Sequence, residues 1–244
     1  MLHIEGLSIS IENRKLVSDF SCALSENEVT CLIGPSGCGK TSVLKWLAGI
    51  LSPTLGATGA LTLDDTGITP PHASTTYQPQ SDALFPWLTI AQNAALGLEV
   101  AGIPTKTARA DVLMHFKTFG LAGCENLYPE QISGGMRQRA AFLRTLVQNS
   151  RFILLDEPFS ALDAVTRLRM QAWLCDQLAH TPRGVLMVTH DLHEATQIAD
   201  RILVMPAAGG PLAANISVTT PRHARTETAM AQIRTTLKSL LLES

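Results

Sequence analysis

The chain has 244 residues, 45% of them hydrophobic, enough to bury the core of one large domain or of a domain with an inserted subdomain. A formal net charge of −2 argues against nucleic acid as a partner. Five cysteines without a Cys-x-x-Cys pair favour reduced thiols in a cytosolic protein over a disulfide framework. We expect no signal peptide. We also expect a protein that is soluble by itself, because no apolar run approaches the ~18–20 residues of a membrane span.

The first third of the chain reads as strands and turns around a glycine-rich loop. Residues 1–33 partly alternate apolar and polar side chains, as in a half-solvated antiparallel sheet. Asn27, in the turn before the third strand, can take a positive φ. A helix is predicted from Lys40 to Leu51, where Ser52-Pro53 stops it, and residues 52–76 read as further strands and turns.

Helical patterns follow, and then helices alternate with buried strands. The predicted helices of the middle region are Thr89–Val100, Thr107–Phe119 and one that begins at Ser133. The predicted buried strands are Phe152–Leu155, Val185–Thr189 and Ile202–Met205, with helices near 164–179 and 191–199 between and after them. This alternation predicts an α/β fold with a parallel sheet and helical crossovers.

The end of the chain reads as a linker and a last helix. Residues Pro206–Pro221 are rich in Gly, Pro and Ala. Residues 226–242 predict an amphipathic helix that packs on its own domain or on a second copy of the chain.

The segment Gly34-x-x-x-x-Gly39-Lys40-Thr41, called the P-loop below, follows a strand and opens a helix. Its glycines let backbone N–H groups turn toward phosphate, and the helix dipole adds positive potential. Lys40 would reach the β- and γ-phosphates, and the Thr41 hydroxyl would ligate Mg²⁺. A kinase or a GTPase carries a similar loop. The predicted phosphate-binding residues are Gly34, Pro35, Ser36, Gly37, Cys38, Gly39, Lys40, Thr41 and Ser42.

Two acidic residues end the apolar strand Phe152–Leu155. A parallel strand next to the P-loop strand would bring Asp156 and Glu157 to the same sheet edge. Asp156 suits the Mg²⁺ shell, and Glu157 suits a general base that activates water, an effect worth roughly 10²–10⁴-fold in rate. The alternative is a purely structural role, as a capping pair at a strand–helix turn.

A second phosphate-binding pattern lies in Ser133-Gly134-Gly135-Met136-Arg137-Gln138, called the signature segment below. Ser133 is a good N-cap, and the glycines after it expose N–H groups to an anion. The alternative is a cap without a ligand. One chain cannot easily place two phosphate cradles on a single nucleotide.

Together these motifs resemble the ABC ATPase family over roughly residues 1–205. The resemblance implies a P-loop NTPase (RecA-like) α/β core with an N-terminal antiparallel β subdomain and an inserted α-helical signature subdomain. It implies one ABC ATPase domain, with the nucleotide-binding core in 1–80 and 146–205 and the helical subdomain in 81–145. Residues 206–244 would then form the linker and the C-terminal amphipathic helix.

The resemblance also implies roles and a dimer. Gln78, in Tyr77-Gln78-Pro79, would contact Mg²⁺ and the attacking water, and His190 would contact the γ-phosphate of ATP. The signature segment would close on the ATP of the other subunit in a head-to-tail homodimer with two ATPs between the copies. The residues that would contact ATP in this way are Ser133, Gly134, Gly135, Gln138 and Asp163. One departure is that Ser10 and Ile11 stand where many members have an aromatic residue for adenine.

The run Leu84-Phe85-Pro86-Trp87-Leu88-Thr89 and the signature segment look like importer ATPases of the nitrate/sulfonate/taurine or thiamine-precursor type. This implies a peripheral protein at the cytoplasmic face of the inner membrane. Its helical subdomain would bind a membrane permease, with Leu84, Phe85 and Trp87 as candidate contacts, and an external solute-binding protein would act indirectly. The alternatives are an exporter subunit or a soluble ABC protein of DNA repair, translation or iron–sulfur assembly.

Overall fold

The computed structural model describes residues 1–12, 14–207 and 209–243. The strands are β1 (Leu2–Ile11), β2 (Arg14–Leu24), β3 (Val29–Ile33), β4 (Leu55–Leu63), β5 (Thr66–Gly67), β6 (Thr75–Gln78), β7 (Phe152–Asp156), β8 (Gly184–Val188), β9 (Arg201–Val204) and β10 (Ala214–Ser217). The α-helices are α1 (Lys40–Leu47), α2 (Ile90–Val100), α3 (Thr105–Phe116), α4 (Gly134–Leu146), α5 (Ala164–His180), α6 (Leu192–Ile198) and α7 (Glu227–Glu243). Among the described residues, no helix combines the length and apolarity that crossing a bilayer requires.

Two sheets organise the molecule. The first has the order β2-β1-β4-β5, and all of its pairings are antiparallel. The second has the order β10-β9-β3-β8-β7-β6 and is parallel from β9 to β6, with β10 antiparallel at its edge. The predicted antiparallel N-terminal region and parallel α/β core are confirmed.

The parallel sheet is covered on both faces, which explains why its central strands are apolar throughout. Ile153 and Leu155 of β7 pack in a core that includes residues of α2 to α7. Phe152 and Leu154 point to the other face, where α1 and the antiparallel sheet supply the apolar partners. Neighbouring residues along one strand therefore belong to different cores, and this alternation also decides which side chains reach the site.

Helix α1 is shorter than predicted. It ends at Leu47, not at Leu51, because Gly49 takes a φ of 70° and turns the chain away. A Cβ atom at Gly49 would lie 2.4 Å from the backbone nitrogen of Pro71, so this position also needs glycine for a close approach of two loops.

Two other expectations about the sheet were wrong. The strand that carries Asp156 is not next to the P-loop strand, because β8 lies between β3 and β7. Strands β7 and β8 are similarly apolar and buried, so their composition does not encode which one is adjacent to β3.

The segment Pro206–Pro221 is also more than a linker, since it contains β10, whose antiparallel pairing with β9 extends the sheet. That residues 81–145 form a helical subdomain inserted into the nucleotide-binding core stays a prediction.

Helix α7 packs on its own domain. Met230 and Leu237 are fully buried and belong to the same core as the parallel sheet. Helix α6, which follows β8, is the helix against which α7 lies. Met230 and Leu237 are covered within a single copy of the chain, so they favour packing of the last helix on its own domain over packing on a second copy.

We predict that Leu237→Ala lowers the free energy of unfolding by about 2–5 kcal/mol, because it opens a cavity at a fully buried position. Leu242, on the same helix but 87% exposed, is the matched control, and Leu242→Ala should stay within about 0.5 kcal/mol of wild type. Chemical denaturation of the two variants measures both values. Equal losses would show that α7 is not held by this contact.

Candidate nucleotide site

Four of the predicted site elements, the P-loop, Asp156, Glu157 and His190, meet at one edge of the parallel sheet. The P-loop follows β3, Asp156 and Glu157 stand at the end of β7, and His190 follows β8. Parallel strands end at the same edge, so the loops after them come together there whatever the order of the strands. The convergence of these loops does not depend on whether β7 or β8 is adjacent to β3.

The P-loop wraps around a cleft of about 240 Å³. Gly37 and Gly39 have φ values of 81° and 99°, which L side chains rarely adopt. Gly39 is also the N-cap of α1, and the first-turn residues Lys40, Thr41 and Ser42, whose N–H groups have no partner within the helix, line the cleft. The residues that line the cleft are Leu16, Ser36, Gly37, Gly39, Lys40, Thr41, Ser42 and Glu157.

The Lys40 ammonium is folded back into the loop. Its Nζ atom donates to the backbone carbonyl oxygens of Gly34 at 2.9 Å and Pro35 at 2.8 Å. A cation beside the N-terminus of a helix makes this cleft attractive for an anion with several charges. A phosphate that enters the loop would offer Lys40 a stronger partner than the two carbonyl groups.

Asp156 lies between two hydroxyl groups. Thr41 Oγ1 donates to its Oδ1 at 3.1 Å, and the Tyr77 hydroxyl donates to its Oδ2 at 3.3 Å. Burial raises the pKa of the Asp156 carboxyl, while these two hydrogen bonds lower it. Burial and the neighbouring Asp156 carboxylate raise the pKa of Tyr77. Tyr77 was not among the predicted site residues.

The donor set around Asp156 fits Mg²⁺. Thr41 and Asp156 offer two hard oxygen atoms side by side at the cleft. Within the described part of the chain, no three His, Cys, Asp or Glu side chains converge. Magnesium is usually bound through one or two carboxylates together with phosphate and water, and the pair Thr41 and Asp156 suits that mode of binding.

Glu157 is held in a strained conformation at the wall of the cleft. Its φ of 48° costs on the order of 1–3 kcal/mol for a residue with a side chain. Its backbone N–H donates to the carbonyl oxygen of Val188, which ties β7 to β8. Its two carboxylate oxygens have different partners, His190 Nδ1 at 3.1 Å and Gln80 Nε2 at 3.1 Å. Three loops thus meet on one carboxylate.

Gln80, not Gln78, is the glutamine at this carboxylate. Gln78 is fully buried, and neither its amide nitrogen nor its amide oxygen has a hydrogen-bond partner among the described residues. Gln78 pairs in register with Leu155, whose side chain lies in the core that includes the helices α2 to α7. The expectation that Gln78 reaches the site was wrong, because strand alternation points it away. Pro79 ends the strand, so Gln80 enters the loop beyond it.

The signature segment forms the start of α4 as predicted. Ser133 is the N-cap, and its Oγ accepts a hydrogen bond from the N–H group of Met136 at 3.3 Å. Gly134 and Gly135 form the first turn. Among the described residues that line the P-loop cleft, none belongs to this segment.

Two other predicted ATP contacts have partners within the chain. Gln138 is 3% exposed on the inner face of α4, and its Nε2 lies 3.5 Å from the carbonyl oxygen of Gln80. The expectation that Gln138 contacts nucleotide was wrong, because α4 turns it toward the core. Asp163 is exposed and caps α5, with Oδ1 accepting from the N–H group of Thr166 at 3.0 Å.

A family model described as "ABC transporter" matches residues 17–160, more than half of the chain. The chain belongs to the ABC transporter family. It is 35% identical over 218 residues to the taurine import ATP-binding protein TauB of Yersinia pestis, covering 89% of this chain and 84% of that protein. It is 36% identical over 252 aligned positions to the formylaminopyrimidine import ATP-binding protein ThiZ of Halalkalibacterium halodurans, covering 100% of this chain and 97% of that protein.

Solved structures give the same fold. The dimeric structure of MJ0796, a bacterial ABC transporter cassette, superposes with a TM-score of 0.79 at 24% sequence identity, and the match covers 91% of this chain and all of that one. The resemblance to ABC ATPases that the motifs indicated is therefore confirmed for family and fold.

One aliphatic side chain lies at the P-loop cleft. Leu16 of β2 lines it, and Ile11, at the end of β1, is 39% exposed but does not line it.

We predict that Asp156→Asn raises the melting temperature of the nucleotide-free protein by a few degrees. Because burial raises the pKa of Asp156 above its unfolded value, the ionised carboxylate destabilises the fold at neutral pH, and this cost disappears below the unfolded pKa of about 4. Each kcal/mol shifts the melting temperature of a chain of this size by roughly 2–4 °C. Thermal unfolding as a function of pH measures the difference, which should narrow as the pH falls. A lower melting temperature at pH 7 would contradict the cost of burial.

Proposed function

We propose that this chain is the ATP-hydrolysing subunit of an ABC importer. The observation that carries the proposal is the Glu157 carboxylate, which faces the P-loop cleft and is bonded by both Gln80 and His190. A carboxylate fixed beside a phosphate-binding loop can accept a proton from the water that attacks the γ-phosphate. Strain in its backbone supports a functional reason for this conformation.

The other residues have roles that follow from their positions. The N–H groups of the P-loop and Lys40 bind the phosphates, and His190 and Gln80 orient Glu157 and the water. Thr41 and Asp156 would hold Mg²⁺, and Gln80, not Gln78, is the glutamine beside Glu157. Mg²⁺ supplies a Lewis acid that neutralises charge on the phosphate oxygens. Tyr77 keeps the Asp156 carboxylate oriented toward Thr41.

A second copy of the chain completes the site. The cap at Ser133 and the N–H groups of Gly134 and Gly135 form an anion-binding helix start that does not line the P-loop cleft of the same chain. In a head-to-tail homodimer this start closes on the ATP of the partner, and Asp163 lies near the contact. The structure of MJ0796, a cassette of the same fold, is dimeric, which supports a dimer of this chain.

Import of a small organic or anionic solute is the transport function that the relatives support. Both curated relatives carry names of import ATP-binding proteins, one for taurine and one for formylaminopyrimidine. We infer a peripheral position at the cytoplasmic face of the inner membrane, where ATP-driven closure moves a separate permease. The expected solute is a sulfonate such as taurine, or nitrate, or a thiamine precursor. A solute-binding protein outside the membrane would deliver it to the permease and act on this chain only indirectly. Nucleic acid has no part in this function.

Two aromatic side chains form the proposed permease contact. Trp87 is 69% exposed and Phe85 is 39% exposed, and their ring centroids lie 5.4 Å apart. Leu84, the third residue of the predicted groove, packs instead against the core. Exposed aromatic pairs are more typical of interfaces than of free surface.

We predict that Glu157→Gln hydrolyses ATP at least about a hundredfold more slowly and still binds it, because the amide keeps the shape of the side chain but cannot accept the proton. Steady-state phosphate release and equilibrium binding of ATP measure the two properties. Glu5→Gln, an exposed carboxylate on β1, is the matched control and should leave both unchanged. Near-normal turnover of Glu157→Gln would refute the assigned role.

We predict that Trp87→Ala leaves the ATPase activity and melting temperature of the isolated subunit unchanged and reduces the amount of permease that co-purifies with it from gently solubilised membranes. Mass spectrometry of the retained proteins measures this, and Leu242→Ala is the exposed apolar control.

A permease that is retained by wild type and by the Leu242 variant but lost with the Trp87 variant supports the contact. Equal retention by all three contradicts it. Ribosomal, DNA-repair or iron–sulfur proteins in place of a permease would favour the soluble alternative and overturn the assignment to transport.

A further inference from the structure

The loop that carries Gln80 is attached to helix α4 by several hydrogen bonds. Arg144 Nη1 donates to the carbonyl oxygen of Ala83 at 2.9 Å, and Arg144 Nη2 donates to that of Asp82 at 3.0 Å. Arg137 Nε donates to Asp82 Oδ2 at 3.0 Å. Two arginines of α4, seven residues apart, therefore hold consecutive residues of this loop.

The loop has a conformation that needs such support. Ala83 has a φ of 44°, which is costly for a residue with a Cβ atom and no polar side chain. The planar guanidinium of Arg144 fits two adjacent carbonyl groups at once, a geometry that an ammonium group cannot reproduce. Gln138, buried in α4, adds a contact at 3.5 Å to the carbonyl oxygen of Gln80 itself.

The same helix begins at the signature segment. Because α4 runs without interruption from Gly134 to Leu146, its N-terminal cap and its loop-holding arginines belong to one rigid element. The loop that those arginines hold ends, on its other side, at the contact between Gln80 Nε2 and Glu157 Oε2. A displacement of α4 is therefore transmitted to the wall of the P-loop cleft through a few named contacts.

We propose that Arg144 and the Arg137–Asp82 ion pair are positioning residues that hold Gln80 against Glu157. The placement of the general base thereby depends on the position of the signature helix of the same chain. This inference rests on the proposed role of Glu157. Arg144 is expected to contribute most of the stabilisation of the loop that positions Gln80. Arg137 and Asp82 are each about one third exposed, and an ion pair with that exposure adds little stability.

The test is a double-mutant cycle on ATP hydrolysis by the full-length subunit. Arg144→Met removes both donors and keeps an apolar stem, and it should lower kcat by roughly 10- to 100-fold with little change in KM, since geometry and not binding is disturbed. Gln80→Ala should lower kcat to a similar extent. The double variant Gln80→Ala/Arg144→Met should lie within about twofold of Gln80→Ala alone, because Arg144 acts through Gln80.

Arg109→Met, which removes an exposed arginine of α3, is the matched control and should retain wild-type kcat. If Arg144→Met does not fold, Arg137→Met in the same cycle tests the weaker half of the contact. Losses that multiply in the double variant, or a wild-type kcat in Arg144→Met, overturn the proposal. Normal turnover of Glu157→Gln would instead refute the proposed function on which it rests, so the two failures are distinguishable.

Discussion

The parallel direction of β3, β7 and β8 is the constraint on which the site depends. Because these strands end at one edge, the P-loop, the carboxylates of Asp156 and Glu157, and His190 come together although they are far apart in the sequence. The strands can be parallel because apolar layers cover both faces of the sheet. The polar groups at the edge are then placed by short loops with unusual backbone conformations, at Gly37, Gly39 and Glu157.

In the proposed dimer, one chain supplies half of the nucleotide site. The P-loop cleft has phosphate-binding N–H groups and Lys40, and Glu157 stands at its wall. The second helix start that suits an anion, capped by Ser133, begins α4 and is oriented by contacts with other parts of the chain. A helix start of this kind can bind an anion. If two copies share each ATP, its phosphates contact the start of α1 in one copy and the start of α4 in the other, and ATP becomes part of the interface between the copies.

Much of this site can be predicted from the sequence, because helix starts, glycine loops and acidic strand ends depend on neighbouring residues. Ser133 caps α4 and Asn27 takes a φ of 68°, as local propensity indicates. The errors concern relations that local pattern does not encode. The order of the similarly apolar strands β7 and β8 depends on the crossover connections between them. Strand β10 lies in the segment that was predicted to be a linker, and its pairing with β9 is set by tertiary contact. Strand alternation points Gln78 into the core, and Pro79 ends the strand before Gln80, a signal that was present in the sequence.

The most direct test of the account is the sedimentation of Glu157→Gln with and without ATP and Mg²⁺, together with the same variant that also carries Ser133→Arg. The account predicts a monomer without nucleotide, a dimer of Glu157→Gln when ATP and Mg²⁺ are saturating, and a monomer of the double variant that still binds ATP. The reason is that the added arginine blocks the helix start at which the partner's ATP would bind. A monomer of Glu157→Gln at saturating ATP, or a dimer of the double variant, would contradict the claim that two copies share each nucleotide.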